Sequence, residues 1–297
     1  MLVIILSGAR HTRGMDEQEL QRWIGRRETR RDVFGATPPA ALAATLDHPP
    51  REWRAGAPLP PLWHWLYFLP LHRASELGPD GHAKLGGFLP PLSLPRRMWA
   101  GSRFEFAGIL SVGDAAERVS TIENVALKHG RSGPLAFVTV RHEVFANGAA
   151  APALCEWHDI VYRAARRPGD TEPPPQAAPE GAEWSRELVP DDVLLFRYSA
   201  LTFNGHRIHY DRRYVTEVEG YPGLVVHGPL IATLLLDLLG REMPLAQLAS
   251  FCFKALRPTF DGRNVQVSGR REGDTVRLWA QDQDGWLTMD ASATLKA

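Results

Sequence analysis

Cysteine is scarce: the 297 residues hold two, Cys155 and Cys252. They cannot build a disulfide framework or a paired-Cys zinc motif, and both are expected as small core residues in a reducing compartment. Net charge is missing too. Lys plus Arg number 34 and Asp plus Glu 34, so no broad field draws the chain to nucleic acid or to a membrane surface. Long apolar runs are also absent. The opening "MLVIIL" has no basic residue ahead of it and is too short for a signal peptide or a bilayer span. The later "LIATLLLDLL" is broken by Asp237 and reads as a buried helix. The expectation is a cytoplasmic protein with no nucleic-acid or membrane partner, its first dozen or so residues a tail.

What is present points to a packed globular chain. Apolar residues make up 44%, enough for a sizeable core. One stretch, "RAARRPGDTEPPPQAAPEGAEWS", has little to bury and reads as a linker. It divides the chain into an expected first unit at 15–165, a linker at 166–184 and a second unit at 185–297. Both units share an order of elements. "PAALAATLD" in the first and "GPLIATLLLDLLGRE" in the second read as helices, each followed by strand-like runs with alternating apolar residues. In the second unit the last three runs carry Gly and Asp turn punctuation and suggest a meander. An α+β fold follows, each unit an antiparallel sheet around a helix.

Two neighbouring stretches carry the chemistry. In "DDVLLFRYSALTFNGHRIHYD" a strand-like run is expected to end at Phe196. Tyr198, Ser199, Thr202, Asn204, His206 and His209 then follow with little periodicity. Neutral histidine suits proton transfer near neutral pH. The residues alone fit a reaction centre, a polar turn with structural histidines or, more weakly, a metal site, since no acidic or Cys partner accompanies the two histidines. In "GLVVHGPL" Val226 and His227 precede Gly228, and Pro229 suits a first helical position. The free N–H groups of such a helix start favour an anion or a polarised carbonyl oxygen. A plain helix entry is the alternative.

"YSALTFNGHRIHYD" followed by "GLVVHGPL" resembles the MaoC-like hydratase/dehydratase branch of the hot-dog superfamily. That family carries Gly-Asp-x-Asn-Pro-x-His and then a His-Gly pair at a helix start. The resemblance implies a double hot-dog, two curved antiparallel sheets each wrapped around a helix, with only the second unit catalytic. It further implies an acyl-CoA substrate with no other cofactor, no metal, and pairing of two chains into a homodimer. His209 matches the family's catalytic histidine, and Gly228 the N–H that holds the thioester oxygen. Asn204 stands where the family has Asp, His206 where it has Asn, and Arg207 where it has Pro. Asparagine can orient a water but cannot take its proton.

This variant pattern, together with "LPPLWHWLYFLP" and "GGFLPPLSLPRRMWAGSRFEF" in the first half, is similar to the itaconyl-CoA and mesaconyl-CoA hydratases and the type 2 3-hydroxyacyl-thioester dehydratases. Arg96, Arg97 and Trp99 in "LPRRMW" and Arg131 in "KHGRSG" are candidates for CoA phosphates or a substrate carboxylate, because guanidinium forks match both. A dehydratase of longer acyl chains, a thioesterase and a non-catalytic acyl-CoA binder stay open.

Overall fold

The structure, a computed structural model, describes residues 17–130, 133–165 and 174–296. Helix α4 (Gly228–Glu242) starts on the expected glycine, with Pro229 in its first turn, and nine of its side chains from Leu230 to Leu239 are buried. A helix apolar on all sides must be enclosed, and β6 (Trp184–Leu188), β8 (Val265–Glu272), β9 (Thr275–Asp282) and β10 (Leu287–Leu295) curve against it. Strand β7 (Leu248–Ala255) joins them by pairing with β10.

The first half contributes β1 (Arg27–Val33), β2 (Arg96–Phe106), β3 (Ala115–Gly130), β4 (Gly133–Ala146) and β5 (Leu154–Arg163). The ten strands of the described residues form one antiparallel sheet in the order β1-β3-β4-β5-β2-β7-β10-β9-β8-β6. The two halves meet at β2 and β7, where Gly101 pairs with Lys254. A Cβ on Gly101 would lie 2.4 Å from the Phe253 carbonyl oxygen, so the seam needs glycine there. Phe104 stacks on Phe251 and Phe253 across it at 5.9 and 6.4 Å. A single apolar cluster runs through both halves, from Phe34 and Leu42 to Leu235 and Ala293.

Helix α1 (Glu17–Gln21) is short, and α2 (Thr37–Thr45) packs on α3 (Asp192–Thr202). Helix α3 corrects one expectation: the run before Phe196 is helical, not a strand. Asp191 caps it by accepting the Leu194 N–H at 2.7 Å. Leu195, Tyr198 and Ser199 fall on one buried face, while Val193 and Phe196 stay exposed. The aromatic segment "PLWHWLYF" forms a single 3-10 turn, Trp63–Leu66. The cysteines correct another. Both are free, but Cys155 is half-buried and Cys252 exposed. On β7, Phe251 and Phe253 point inward and Cys252 between them points out. No helix among the described residues is long and apolar enough to cross a membrane.

Candidate active site

A cavity of about 1720 Å³ lies between the two halves. From the second half it is lined by Tyr198, Ser199, Thr202, Asn204, His206, His209, Val226 and Gly228. Helix α3 ends at Phe203, which takes a left-handed φ of 50° and turns the chain into the polar loop. Asn204 Oδ1 accepts the His206 N–H at 3.0 Å, which closes that loop and leaves the amide nitrogen for another partner. A short turn, Arg207–His209, then brings His209 to the wall.

His209 is buried, and its Nδ1 lies 2.6 Å from the Val225 carbonyl oxygen. A carbonyl only accepts, so Nδ1 carries the proton and Nε2 is the free basic nitrogen of the neutral ring. Burial pushes the imidazole down to about 4, against the pull of the Val225 carbonyl, so the ring is neutral near pH 7. Its face stacks on His227 at 3.7 Å. Gly228 opens α4 beside it, and the N–H groups of a first turn have no carbonyl partner within the helix. A basic nitrogen and a helix start on one wall can together serve proton transfer next to a polarised carbonyl.

Several expected contacts fall elsewhere. His227 is fully buried behind His209, its Nε2 2.8 Å from Ser199 Oγ, and it does not line the cavity. Ser199 Oγ is therefore held by a histidine, and Thr202 Oγ1 donates to the Tyr198 carbonyl at 2.8 Å. Tyr198 reaches the cavity, and burial keeps its phenol well above the usual range. Arg96 is also misplaced by the sequence reading. It turns away from the cavity and donates to the Glu219 carboxylate at 2.6 and 2.9 Å. Arg97 points the other way, as neighbours on a strand do. It lines the cavity beside Trp99 and has no acidic or hydrogen-bond partner among the described residues. Arg131 lies outside the described residues. Lys128, near the end of β3, sits over the Phe137 ring at 4.9 Å.

The first half brings polar groups that the sequence did not flag. On its inner sheet face Glu156 is buried, 3.1 Å from His64 Nε2 and from Trp65 Nε1. Burial works to raise the Glu156 carboxyl, but the His64 hydrogen bond and nearby His142 hold it below the usual range. Burial drives His142 down to about 3 and Arg118 to about 10. The loop "GPDGH" places Asp80 and His82 over the Asn204–His209 loop. Asp80 Oδ2 is 2.9 Å from His82 Nδ1, and the His82 ring packs on His206 at 4.1 Å. The donor atoms of Asp80, His82 and His206 lie within 4.8 Å of one another, and two of them already bond to each other. A lone His behind an Asp-Gly turn gave no sequence signal for this pairing.

Residues 62–261 match the family described as hydroxyacyl-thioester dehydratase type 2. The chain is 45% identical over 283 residues, 95% of this chain and 99% of that protein, to the mesaconyl-C(4)-CoA hydratase of Chloroflexus aurantiacus. It is 26% identical over 245 residues, 74% of this chain and 80% of that protein, to the mitochondrial hydroxyacyl-thioester dehydratase type 2 of Schizosaccharomyces pombe. A MaoC-like dehydratase from Phytophthora capsici superposes with a TM-score of 0.67 at 14% identity, covering 93% of this chain and 97% of that one. HtdX of Mycobacterium tuberculosis superposes with a TM-score of 0.62 at 17% identity, covering 90% and 99%. The fold is the MaoC-like double hot-dog, and the chain belongs to the hydroxyacyl-thioester dehydratase type 2 family of hydro-lyases.

Proposed function

We propose that the protein catalyses reversible hydration of a short, branched, carboxylate-bearing enoyl-CoA thioester, mesaconyl-CoA or itaconyl-CoA. The observation that carries this reading is the shared wall of His209 and Gly228, a free imidazole nitrogen beside an open helix start. The thioester oxygen takes the Gly228 N–H. Water sits between the Asn204 amide and His209 Nε2 and adds at the β carbon, while His209 takes its proton. Charge that develops on the thioester oxygen rests on the helix-start donors. Arg97, a cation on the wall with no acidic partner, suits the second carboxylate. The 45% identity to a mesaconyl-C(4)-CoA hydratase supports the same substrate class. CoA is part of the substrate, and the reading calls for no metal or further cofactor. A cytoplasmic location and pairing of two chains go with it.

The cavity of about 1720 Å³ favours a second reading, a dehydratase of longer 3-hydroxyacyl thioesters. A panel of enoyl-CoAs, followed by loss of the conjugated-thioester absorbance, separates the two. Highest kcat/KM on mesaconyl-CoA or itaconyl-CoA supports the first. Activity that rises with chain length supports the second. No turnover of any enoyl-CoA overturns both.

A further inference from the structure

Asn204 stands where the family motif has a carboxylate, and a carboxylate of the other half of the chain, Asp80, lies over the same loop. Asp80 and His82 sit in a loop clamped onto the catalytic loop. The Arg207 N–H donates to the Asp80 carbonyl at 2.9 Å, and Arg207 Nη1 donates to the Pro79 carbonyl at 3.0 Å. Gly81, at φ +89°, lies so close to Gly205 that a Cβ would come 1.8 Å from its carbonyl oxygen. Gly81 and His82 both line the cavity. His82 packs on His206 at 4.1 Å, and His206 is 5.4 Å from His209.

Addition of water moves protons at two places, from the water and onto the α carbon. His209 meets a backbone carbonyl and two imidazoles, and no carboxylate among the described residues bonds to it to hold a positive charge. His82 has one. The Asp80 carboxylate fixes His82 Nδ1 as a donor, which leaves Nε2 for a partner in the cavity, the arrangement in which a carboxylate orients an imidazole and stabilises its charged form. Resting on the hydratase reading above, we propose that Asp80 and His82 form the second acid–base pair of the site, with His82 as a catalytic residue at the α carbon and Asp80 as its positioning residue.

In hydration the water oxygen bonds to the β carbon and its proton passes to His209 Nε2. The C=C π pair moves onto the thioester oxygen as the enolate. The enolate α carbon then takes the proton of charged His82, and the thioester carbonyl re-forms. The proton gained by His209 returns to His82 before the next turnover, with His206 lying between the two rings. Dehydration runs the same steps backward, and neutral His82 takes the α proton. Burial, with Arg97, outweighs the Asp80 hydrogen bond and holds His82 below its ordinary range, so the charged ring is the minor form near pH 7 and Asp80 sets how much of it there is. The groups that set its charge are thus Asp80 on its own loop, Arg97 on β2, and His206 and His209 on the catalytic loop.

The test is steady-state kinetics of the full chain on mesaconyl-C4-CoA with Asp80→Asn, Asp80→Glu and His82→Gln, each with a pH profile of kcat/KM. His82→Gln is expected to lower kcat by roughly 100-fold or more with KM within about threefold, the scale of one acid–base group. Asp80→Asn should move the alkaline limb of the profile to lower pH, and Asp80→Glu should restore part of the rate. Variants within about threefold of wild type overturn the proposal. So does a rate loss carried by KM with an unmoved pH profile, which marks a structural loop. Loss of wild-type activity in EDTA also overturns it, because the cluster would then be holding a metal. If wild type turns over no enoyl-CoA, the hydratase reading itself fails. If wild type is active and the variants match it, only the Asp80–His82 pair fails.

Discussion

Lowering the pH from about 7 to about 5 forces protons onto histidines that the interior keeps neutral. His209 is held down to about 4 and His142 to about 3, each from an ordinary 6.5, both by burial. The unfolded chain therefore binds more protons than the folded one from about pH 6.5 downward, and folded stability rises with pH through that window. At about pH 5 each unfolded imidazole is almost fully charged and each folded one neutral, a difference of about 1.5 pH units. At about 1.4 kcal/mol per unit, each costs about 2 kcal/mol and the two together about 4. A typical domain has about 5–15 kcal/mol in total, so the loss is a large share. Glu156, held below the carboxylate range, adds to the loss only in stronger acid. Urea unfolding followed by fluorescence at pH 7, 6 and 5 measures the slope. His142→Gln should remove about 2 kcal/mol of the loss between pH 7 and 5, the share of one ring, because His82, His158, His206 and His227 are also held below their ordinary range by burial and keep the rest of the slope. Stability that stays level within about 1 kcal/mol from pH 7 to 5, or a His142→Gln slope equal to wild type, would refute the reasoning.

Three further outcomes follow from the geometry. Arg97→Gln should lower kcat/KM on mesaconyl-C4-CoA by roughly 10- to 150-fold, the worth of about 1.5–3 kcal/mol for a charged hydrogen bond, with a much smaller loss on an enoyl-CoA that lacks the second carboxylate. Equal losses on both substrates would remove Arg97 from carboxylate recognition. Arg96→Gln leaves the partly exposed Glu219 carboxylate with the Tyr214 hydroxyl at 3.2 Å and should cost about 1–3 kcal/mol in urea unfolding, with the ratio of kcat/KM between those two substrates held at the wild-type value. Gly81→Ala forces a side chain into the left-handed region and against Gly205. It should lower kcat at least tenfold, and wild-type kinetics would show that the loop is free to move aside.

Much of this was legible in the sequence where one local rule acted alone. Helix α4 was readable because Gly228 and Pro229 mark a start and the run behind them is apolar on every face. Helix α3 was not, because four apolar residues in a row fit a strand as well as a helix. The Asp191 cap and the buried face at Leu195, Tyr198 and Ser199 decide it. Strand β1, "RETRRDV", carries no apolar alternation, and pairing with β3 alone makes it a strand. The polar stretch from Tyr198 to His209 stood out because its residues are contiguous, and the structure brings them to one cavity wall. Arg96 and Arg97 were indistinguishable until the sheet sent them to opposite faces. Asp80 and His82 reach the site only through the packing of one half on the other, a long-range contact that no local pattern encodes.

Everything in the proposed reaction depends on proton transfer by His209 to and from an enoyl thioester held at the start of α4. Its most direct test is the rate at which the conjugated-thioester absorbance of mesaconyl-C4-CoA is lost with wild type and with His209→Ala. Wild type is expected to turn over, and the variant to fall by about 10²- to 10⁴-fold, the range of a general acid–base group. Activity of His209→Ala near that of wild type would contradict it.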